Sequence, residues 1–118
     1  MQKVNLGCSE MTVPPLVFGG NVFGWGVDEP QAFALLDRLL DKGFDTIDTA
    51  DVYSYWATGG VGGESETILG NWMRARRNRE KVFVHTKGGA PGAPGEFADG
   101  DLSAAYLTKA VEIGRAHV

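Results

Sequence analysis

Short apolar runs alternate with longer amphipathic stretches along this chain. The runs at residues 13–18, 44–49 and 81–87 predict strands, because each contains β-branched and aromatic residues and is followed by glycine or alanine. Within the first run, the apolar residues that lead into Gly19 predict a buried strand. An earlier run that begins at Val4 predicts a small N-terminal hairpin with the start of the first run.

Two amphipathic stretches between these strands predict helices. The first is capped by Asp28, carries leucines at helical spacing and ends before Gly43, which suits the left-handed residue that follows a helix. The second covers residues 64–77, where apolar side chains again recur every three or four positions. Both helices are expected to bury one face.

The last third of the chain combines a loop and a third helix. Residues 88–100 are rich in glycine, proline and alanine, which predicts a loop. The helix is expected to start at a cap, either Asp101 or Ser103, and to continue through Val111.

Strands and helices therefore alternate, which predicts an α/β fold with a parallel sheet and crossover helices. Two folds fit this order, a doubly wound open sheet and a (β/α) barrel. In both, functional side chains gather at the carboxyl ends of the strands.

Composition and charge exclude several classes of function. The chain has 118 residues, with 15 acidic and 11 basic residues and a formal charge of −4. This balance offers no basic stripe for a nucleic acid, and no apolar run approaches the roughly 20 residues that span a membrane. Cys8 is the one cysteine, and no apolar region follows the first residues, so neither an internal disulfide nor a signal peptide is expected and a cytoplasmic protein is predicted. No cluster of histidine, cysteine and carboxylate residues has metal-ligand spacing, so no metal site is predicted.

Three candidate groups follow predicted strands. Asp48 ends the second strand, Tyr53 lies five residues later, and Lys87 ends the third strand. A lysine beside a tyrosine favours the phenolate and lowers the pKa of the phenol, while a carboxylate can orient the lysine. Such a tyrosine can act as a general acid towards a carbonyl oxygen.

The same residues carry a family resemblance. FDTIDTADVY at residues 44–53 resembles the second-strand signature of the aldo-keto reductases, and VFVHTK at 82–87 resembles the strand that delivers their catalytic lysine. Further segments similar to the family are 16–26, 63–66 with 69–70, and 102–112.

The resemblance implies an NADP(H)-dependent reductase on a (β/α)8 TIM barrel, which reduces a small aldehyde or ketone by hydride transfer. By position, it makes Tyr53 the proton donor, Lys87 the group that lowers its pKa, and Asp48 the partner of Lys87.

The resemblance also implies where NADPH and the substrate lie. Gly20 and Asn21, together with Asp48, occupy positions near the nicotinamide ribose, although a threonine or similar residue is common where Gly20 stands. Trp25 and Trp56 are candidates for an aromatic wall of the carbonyl pocket.

The chain departs from the family pattern in its length and its end. The histidine that the family carries after its fourth strand has no counterpart, since His85 lies inside the third strand. We expect residues 1–112 to form the N-terminal part of the barrel, namely a hairpin and the first three βα units. Residues 113–118 back-translate to ATCGGAAGAGCACACGTC, which resembles a widely used sequencing adapter, so a non-native tail is expected there.

The predicted function is that of an N-terminal fragment of such a reductase, inactive by itself. An alternative is a non-catalytic NADPH-binding regulatory subunit of the same superfamily, similar to the potassium-channel β-subunits. A weaker alternative is an unrelated barrel, such as a phosphate-binding isomerase.

Overall fold

A three-stranded parallel sheet lies at the centre of the computed structural model, which describes residues 2–91 and 100–117. It follows an antiparallel hairpin of β1 (Val4–Asn5) and β2 (Thr12–Val13). The sheet strands stand in chain order: β3 (Phe18–Gly19), β4 (Thr46–Asp48) and β5 (Phe83–His85). Within the described ranges the helices are α1 (Glu29–Asp41), α2 (Glu64–Arg76) and α3 (Ala104–His117). The predicted hairpin and the alternation of strands and helices are confirmed.

Helix α1 has both of its predicted end signals. The Asp28 carboxylate accepts a hydrogen bond from the Gln31 backbone N–H at 2.9 Å, and the Gln31 side chain accepts from the Asp28 N–H at 3.2 Å. At the other end, Gly43 has φ +84° and its N–H donates to the Leu40 carbonyl. These bonds satisfy backbone groups that a helix end otherwise leaves unpaired.

The hydrophobic core lies between the sheet and helices α1 and α2. Leu36 on α1 and Leu69 and Trp72 on α2 are almost completely buried and pack with Ile47 of β4. Burial of each such side chain contributes about 1.5–3 kcal/mol, which is more than helix propensity supplies. The core therefore fixes the helices on one face of the sheet, and the prediction that Trp72 is a core residue is confirmed.

The register of β4 and β5 decides which side chains face away from this core. Ile47 pairs with Val84, and both pack in the core, whereas Asp48 pairs with His85 one position further on. Because successive side chains of a strand point to opposite faces, Asp48 and His85 lie on the face that the helices do not cover.

The predicted buried strand before Gly19 is wrong in part. Leu16 and Val17 are 50% and 42% exposed, and of that run only Phe18, together with the Gly19 that follows it, pairs with β4. β3 is an edge strand, and Pro14 and Pro15, which have no backbone N–H, separate it from the hairpin.

Helix α3 is longer than its sequence predicts. It starts after Ser103, whose hydroxyl accepts the Tyr106 N–H at 3.2 Å, and it continues past Val111 to His117. The predicted end at residue 111 is therefore wrong, since no glycine or proline interrupts the helix before position 114. Residues 92–99 of the predicted loop lie outside the described residues, and the origin of residues 113–118 stays a prediction.

No helix in residues 2–91 and 100–117 is long and apolar enough to cross a membrane.

Candidate active site

Three predicted site residues meet at the carboxyl end of the sheet. Asp48 is the last residue of β4, and Lys87 follows β5 by two residues. Lys87 Nζ lies 2.6 Å from Asp48 Oδ2, and the Tyr53 hydroxyl donates to the same oxygen at 3.0 Å. Lys87 Nζ also lies 4.7 Å from the centre of the Tyr53 ring. The structure thus brings together the acid, the tyrosine and the lysine on which the sequence prediction depends.

The ladder between β4 and β5 continues beyond the strands and holds these groups in place. The Thr49 N–H donates to the His85 carbonyl at 2.7 Å, and the Asp51 N–H donates to the Lys87 carbonyl at 3.0 Å. Lys87 Nζ in turn donates to the Thr49 carbonyl at 2.8 Å. The lysine is therefore anchored through both its backbone and its side chain.

The lysine side chain lies partly in solvent, with 50% of its side chain exposed. Partial burial lowers the pKa of Lys87, but its hydrogen bonds to Asp48 and Tyr53 outweigh that effect and raise the pKa above the ordinary value. Lys87 is consequently a cation at neutral pH, next to the phenol oxygen.

Gly20 and Asn21 lie at the same end of the sheet, in a 3₁₀ turn that directly follows β3. Gly19 pairs with Asp48, so this turn lies beside the Asp48 backbone at the end of β4. Gly20 is buried, and a Cβ built there would stand 2.9 Å from both the Asp48 carbonyl oxygen and Ser65 Oγ. Asn21 is exposed, so its amide is free to contact a ligand.

Aromatic side chains stand beside this group. The rings of Trp25 and Trp56 meet edge to face with centroids 5.9 Å apart, and Trp56 lies 6.1 Å from Tyr53 and 5.3 Å from Tyr55. Trp25 is 61% exposed and Trp56 is 40% exposed. Together they form an open aromatic surface next to Tyr53.

His85 is a further titratable residue near this end of the sheet. It lies on the face opposite the core, and its Nε2 is buried with no hydrogen-bond partner among the described residues. Over the same part of the chain, no group of three or more histidine, cysteine or acidic residues could hold a metal ion.

Sequence reasoning missed two residues of this region, Ser65 and Glu66. Both are at least 98% buried at the start of α2, and their side chains bond to residues at the strand ends. The sequence signal was present, because the segment GESE at 63–66 was part of the family resemblance, but it gave no role to either side chain.

Comparisons with known proteins identify the family of this chain. The aldo/keto reductase family model matches residues 15–115. A protein of Pseudescherichia vulneris, described as an uncharacterized 11.2 kDa protein in the crtE 3′ region, is 61% identical over 87 residues, which cover 73% of this chain and 84% of that protein. The uncharacterized oxidoreductase YrpG of Bacillus subtilis is 35% identical over 88 residues, which cover 74% of this chain but 26% of YrpG.

A solved structure extends the comparison to the fold. The holo form of the aldo-keto reductase AKR11C1 from Bacillus halodurans superposes with a TM-score of 0.77 and 31% identity. The match covers 99% of this chain and 36% of that protein, so the chain spans about a third of the solved relative. The sheet and its helices are accordingly the first three βα units of a TIM barrel, preceded by a hairpin, and the chain belongs to the aldo/keto reductase family.

Proposed function

We propose that this chain supplies the first three βα units of an NADPH-dependent reductase that converts small aldehydes or ketones to alcohols. The observation that carries the proposal is the convergence of Lys87 Nζ and the Tyr53 hydroxyl on one oxygen of Asp48. Such a convergence of a phenol, an ammonium group and a carboxylate is suited to the transfer of a proton to a carbonyl oxygen.

Tyr53 is the proton donor in this proposal. When a carbonyl group is reduced, its oxygen gains a proton, and the Tyr53 hydroxyl is positioned to turn from Asp48 towards that oxygen. Loss of the proton leaves a phenolate, which the Lys87 ammonium group stabilises because its Nζ lies 4.7 Å from the ring centre. The role of Lys87 is therefore electrostatic.

Asp48 keeps the lysine charged and in place. Its Oδ2 accepts hydrogen bonds from both Lys87 and Tyr53, so it fixes the separation of these two groups. Its side chain is 32% exposed, so the ion pair with Lys87 is screened in part by water. We assign Asp48 to orientation of the other two groups, and no proton passes through it.

The residues after β3 fit a nicotinamide cofactor. Gly20 has no side chain, so the turn packs directly against the Asp48 backbone and Ser65, and the exposed Asn21 follows it at the strand ends. Asn21 and Asp48 offer an amide and a carboxylate for the hydroxyl groups of a ribose. NADPH, when bound, supplies the hydride that adds to the carbonyl carbon.

The aromatic surface next to Tyr53 provides the substrate side of the site. Trp25 and Trp56 are exposed, and a planar apolar group bound against them would place its carbonyl near the Tyr53 hydroxyl. We propose that these tryptophans form one wall of the carbonyl pocket.

We further propose that the 118 residues alone do not catalyse the reaction. Within the described residues the parallel sheet has three strands, whereas closure of a TIM barrel takes eight. β3 and β5 therefore each leave one edge unpaired, so the three strands do not enclose a pocket for the cofactor and the substrate.

A chimera tests the proposed function. Residues 15–112 would be joined to the remaining βα units of the Bacillus halodurans aldo-keto reductase, and the loss of NADPH absorbance would be followed with benzaldehyde and with butanal. Turnover with NADPH supports the proposal. A folded chimera that binds NADPH but turns over neither aldehyde contradicts it and favours a regulatory NADPH-binding subunit.

A further inference from the structure

The first turn of α2 is bonded to the ends of all three parallel strands. Gly20, Thr49 and Thr86 are each the first residue after a strand: β3, β4 and β5 respectively. Each of them is bonded to Ser65 or to Glu66, the second and third residues of α2.

Ser65 joins two of the strand ends through one hydroxyl group. Its Oγ donates to the Gly20 carbonyl at 2.8 Å and accepts from the Thr49 hydroxyl at 2.9 Å. Ser65 and Thr49 are both completely buried. A buried hydroxyl without a partner is costly, so this pair of bonds fixes the distance between the ends of β3 and β4.

Glu66 holds the third strand end. Its carboxylate is 98% buried and accepts a hydrogen bond from the Thr86 hydroxyl. An ionisable group is rarely buried so deeply without a partner, and a hydrogen bond to a buried group is costly to lose. Glu66 therefore ties the end of β5 to the same helical turn.

The three anchored residues are the immediate neighbours of the candidate site residues. Gly20 precedes Asn21, Thr49 follows Asp48, and Thr86 precedes Lys87. Side chains alternate across a strand, so bonds that hold Thr49 and Thr86 towards the helix side direct Asp48 and Lys87 to the other face. The close approach of Ser65 also leaves no room for a Cβ at Gly20, where the gap would be 2.9 Å.

We propose that Ser65 and Glu66 are positioning residues, which tie the three strand ends together so that Asp48 and Lys87 meet with the geometry the reaction needs. The importance of these hydrogen bonds for catalysis rests on the proposed function. Their effect on the positions of Asp48 and Lys87 does not depend on any reaction. Its test therefore uses neither NADPH nor turnover.

The test follows the Lys87 side chain by NMR in the full 118-residue chain. Glu66→Leu removes the acceptor for Thr86, and Ser65→Ala removes the bridge between Thr49 and Gly20. We expect both variants to lower the measured pKa of Lys87 towards 10.5, the ordinary value for lysine. We also expect the Thr49 and Asp51 amides, which close the ladder beyond β4, to exchange about tenfold faster.

Two further variants separate positioning from stability. Asp37→Asn weakens a contact of α2 that lies away from the strand ends, where Asp37 accepts from Trp72 and Arg76, and it should leave the Lys87 titration unchanged. Glu66→Gln, unlike Glu66→Leu, keeps an acceptor for the Thr86 hydroxyl, so Lys87 should keep its wild-type pKa in this variant.

A double variant covers the case in which Glu66→Leu does not fold. Glu66→Leu with Thr86→Val removes both partners of the bond, which costs much less stability than removing one. The proposal requires that this variant folds and still shows the lowered pKa of Lys87. It is overturned if every folded variant keeps the wild-type Lys87 titration and the wild-type exchange of Thr49 and Asp51.

Discussion

Lys87 Nζ lies 2.6 Å from Asp48 Oδ2, although the two residues are 39 positions apart in the sequence. The pair forms because β4 and β5 are parallel neighbours, which brings their carboxyl ends to the same edge of the sheet. Since Tyr53 donates to the same carboxylate oxygen, this one contact sets the geometry of the whole candidate site.

The first prediction concerns the charge of Asp48. Burial alone lowers the pKa of Lys87, and hydrogen bonds to Asp48 and Tyr53 raise it. Asp48→Asn should therefore bring the pKa of Lys87 down to 10.5 or below, which a ¹³C NMR titration of the lysine Cε measures directly.

The matched control for this change is Asp45→Asn. Asp45 precedes β4 and pairs with Lys3, so its loss should leave the Lys87 titration unchanged. An unchanged pKa of Lys87 in Asp48→Asn would show that the ion pair is absent in solution.

The second prediction concerns alkaline pH and the docking of α3. Burial and a hydrogen bond to Asp51 raise the pKa of Tyr106 from 10.0 to about 12. Because the folded state favours the neutral phenol, this contribution to stability is complete below pH 10 and is lost as the pH rises through about 12.

Urea denaturation at several pH values between 9 and 12 measures this effect. Tyr106→Phe has no phenol to ionise, so its loss of stability over this range should be smaller than that of the wild type. Lys87 titrates in the same pH range in both proteins, so its effect on the free energy of unfolding cancels when the two are compared. If the wild type and Tyr106→Phe lose the same free energy of unfolding over this pH range, the alkaline loss of stability does not come from the Tyr106 phenol.

The third prediction uses two glycines that differ in their surroundings. A Cβ at Gly20 would lie 2.9 Å from the Asp48 carbonyl oxygen and from Ser65 Oγ, whereas a Cβ at Gly26 would meet no atom within 4 Å. Gly20→Ala should therefore lower the free energy of unfolding by about 1–3 kcal/mol, as other overpacking changes do.

Gly26→Ala is the matched control and should change the free energy of unfolding by no more than about 0.5 kcal/mol, as most surface substitutions do. If both variants unfold at the same urea concentration, the strand ends are less closely packed than the structure indicates.

The sequence predicted the order of the elements because periodicity and end signals are local. Asp28 and Gly43 lie beside the residues they cap, so their roles follow from a few neighbouring positions. The lengths of the strands were harder to predict, because pairing depends on a neighbouring strand. Of the first run only Phe18, with the Gly19 that follows it, pairs with β4.

The site was predictable in part for the same reason. Asp48 and Lys87 end predicted strands, and parallel strands end together, so their approach followed from topology. The roles of Ser65 and Glu66 could not be predicted from the order of the elements. Their hydrogen bonds join α2 to strand ends up to 45 residues away, so they depend on how the helix packs. Helix α3 also extends beyond its predicted end at Val111.

The ratio of kcat for the chimera to kcat for its Tyr53→Phe variant tests the central claim most directly. We predict a fall in kcat of about 10²–10⁴-fold, which is the usual contribution of a general acid, with the Kd for NADPH little changed. A Tyr53→Phe chimera that reduces the same aldehyde at the parent rate would contradict the assignment of Tyr53 as the proton donor.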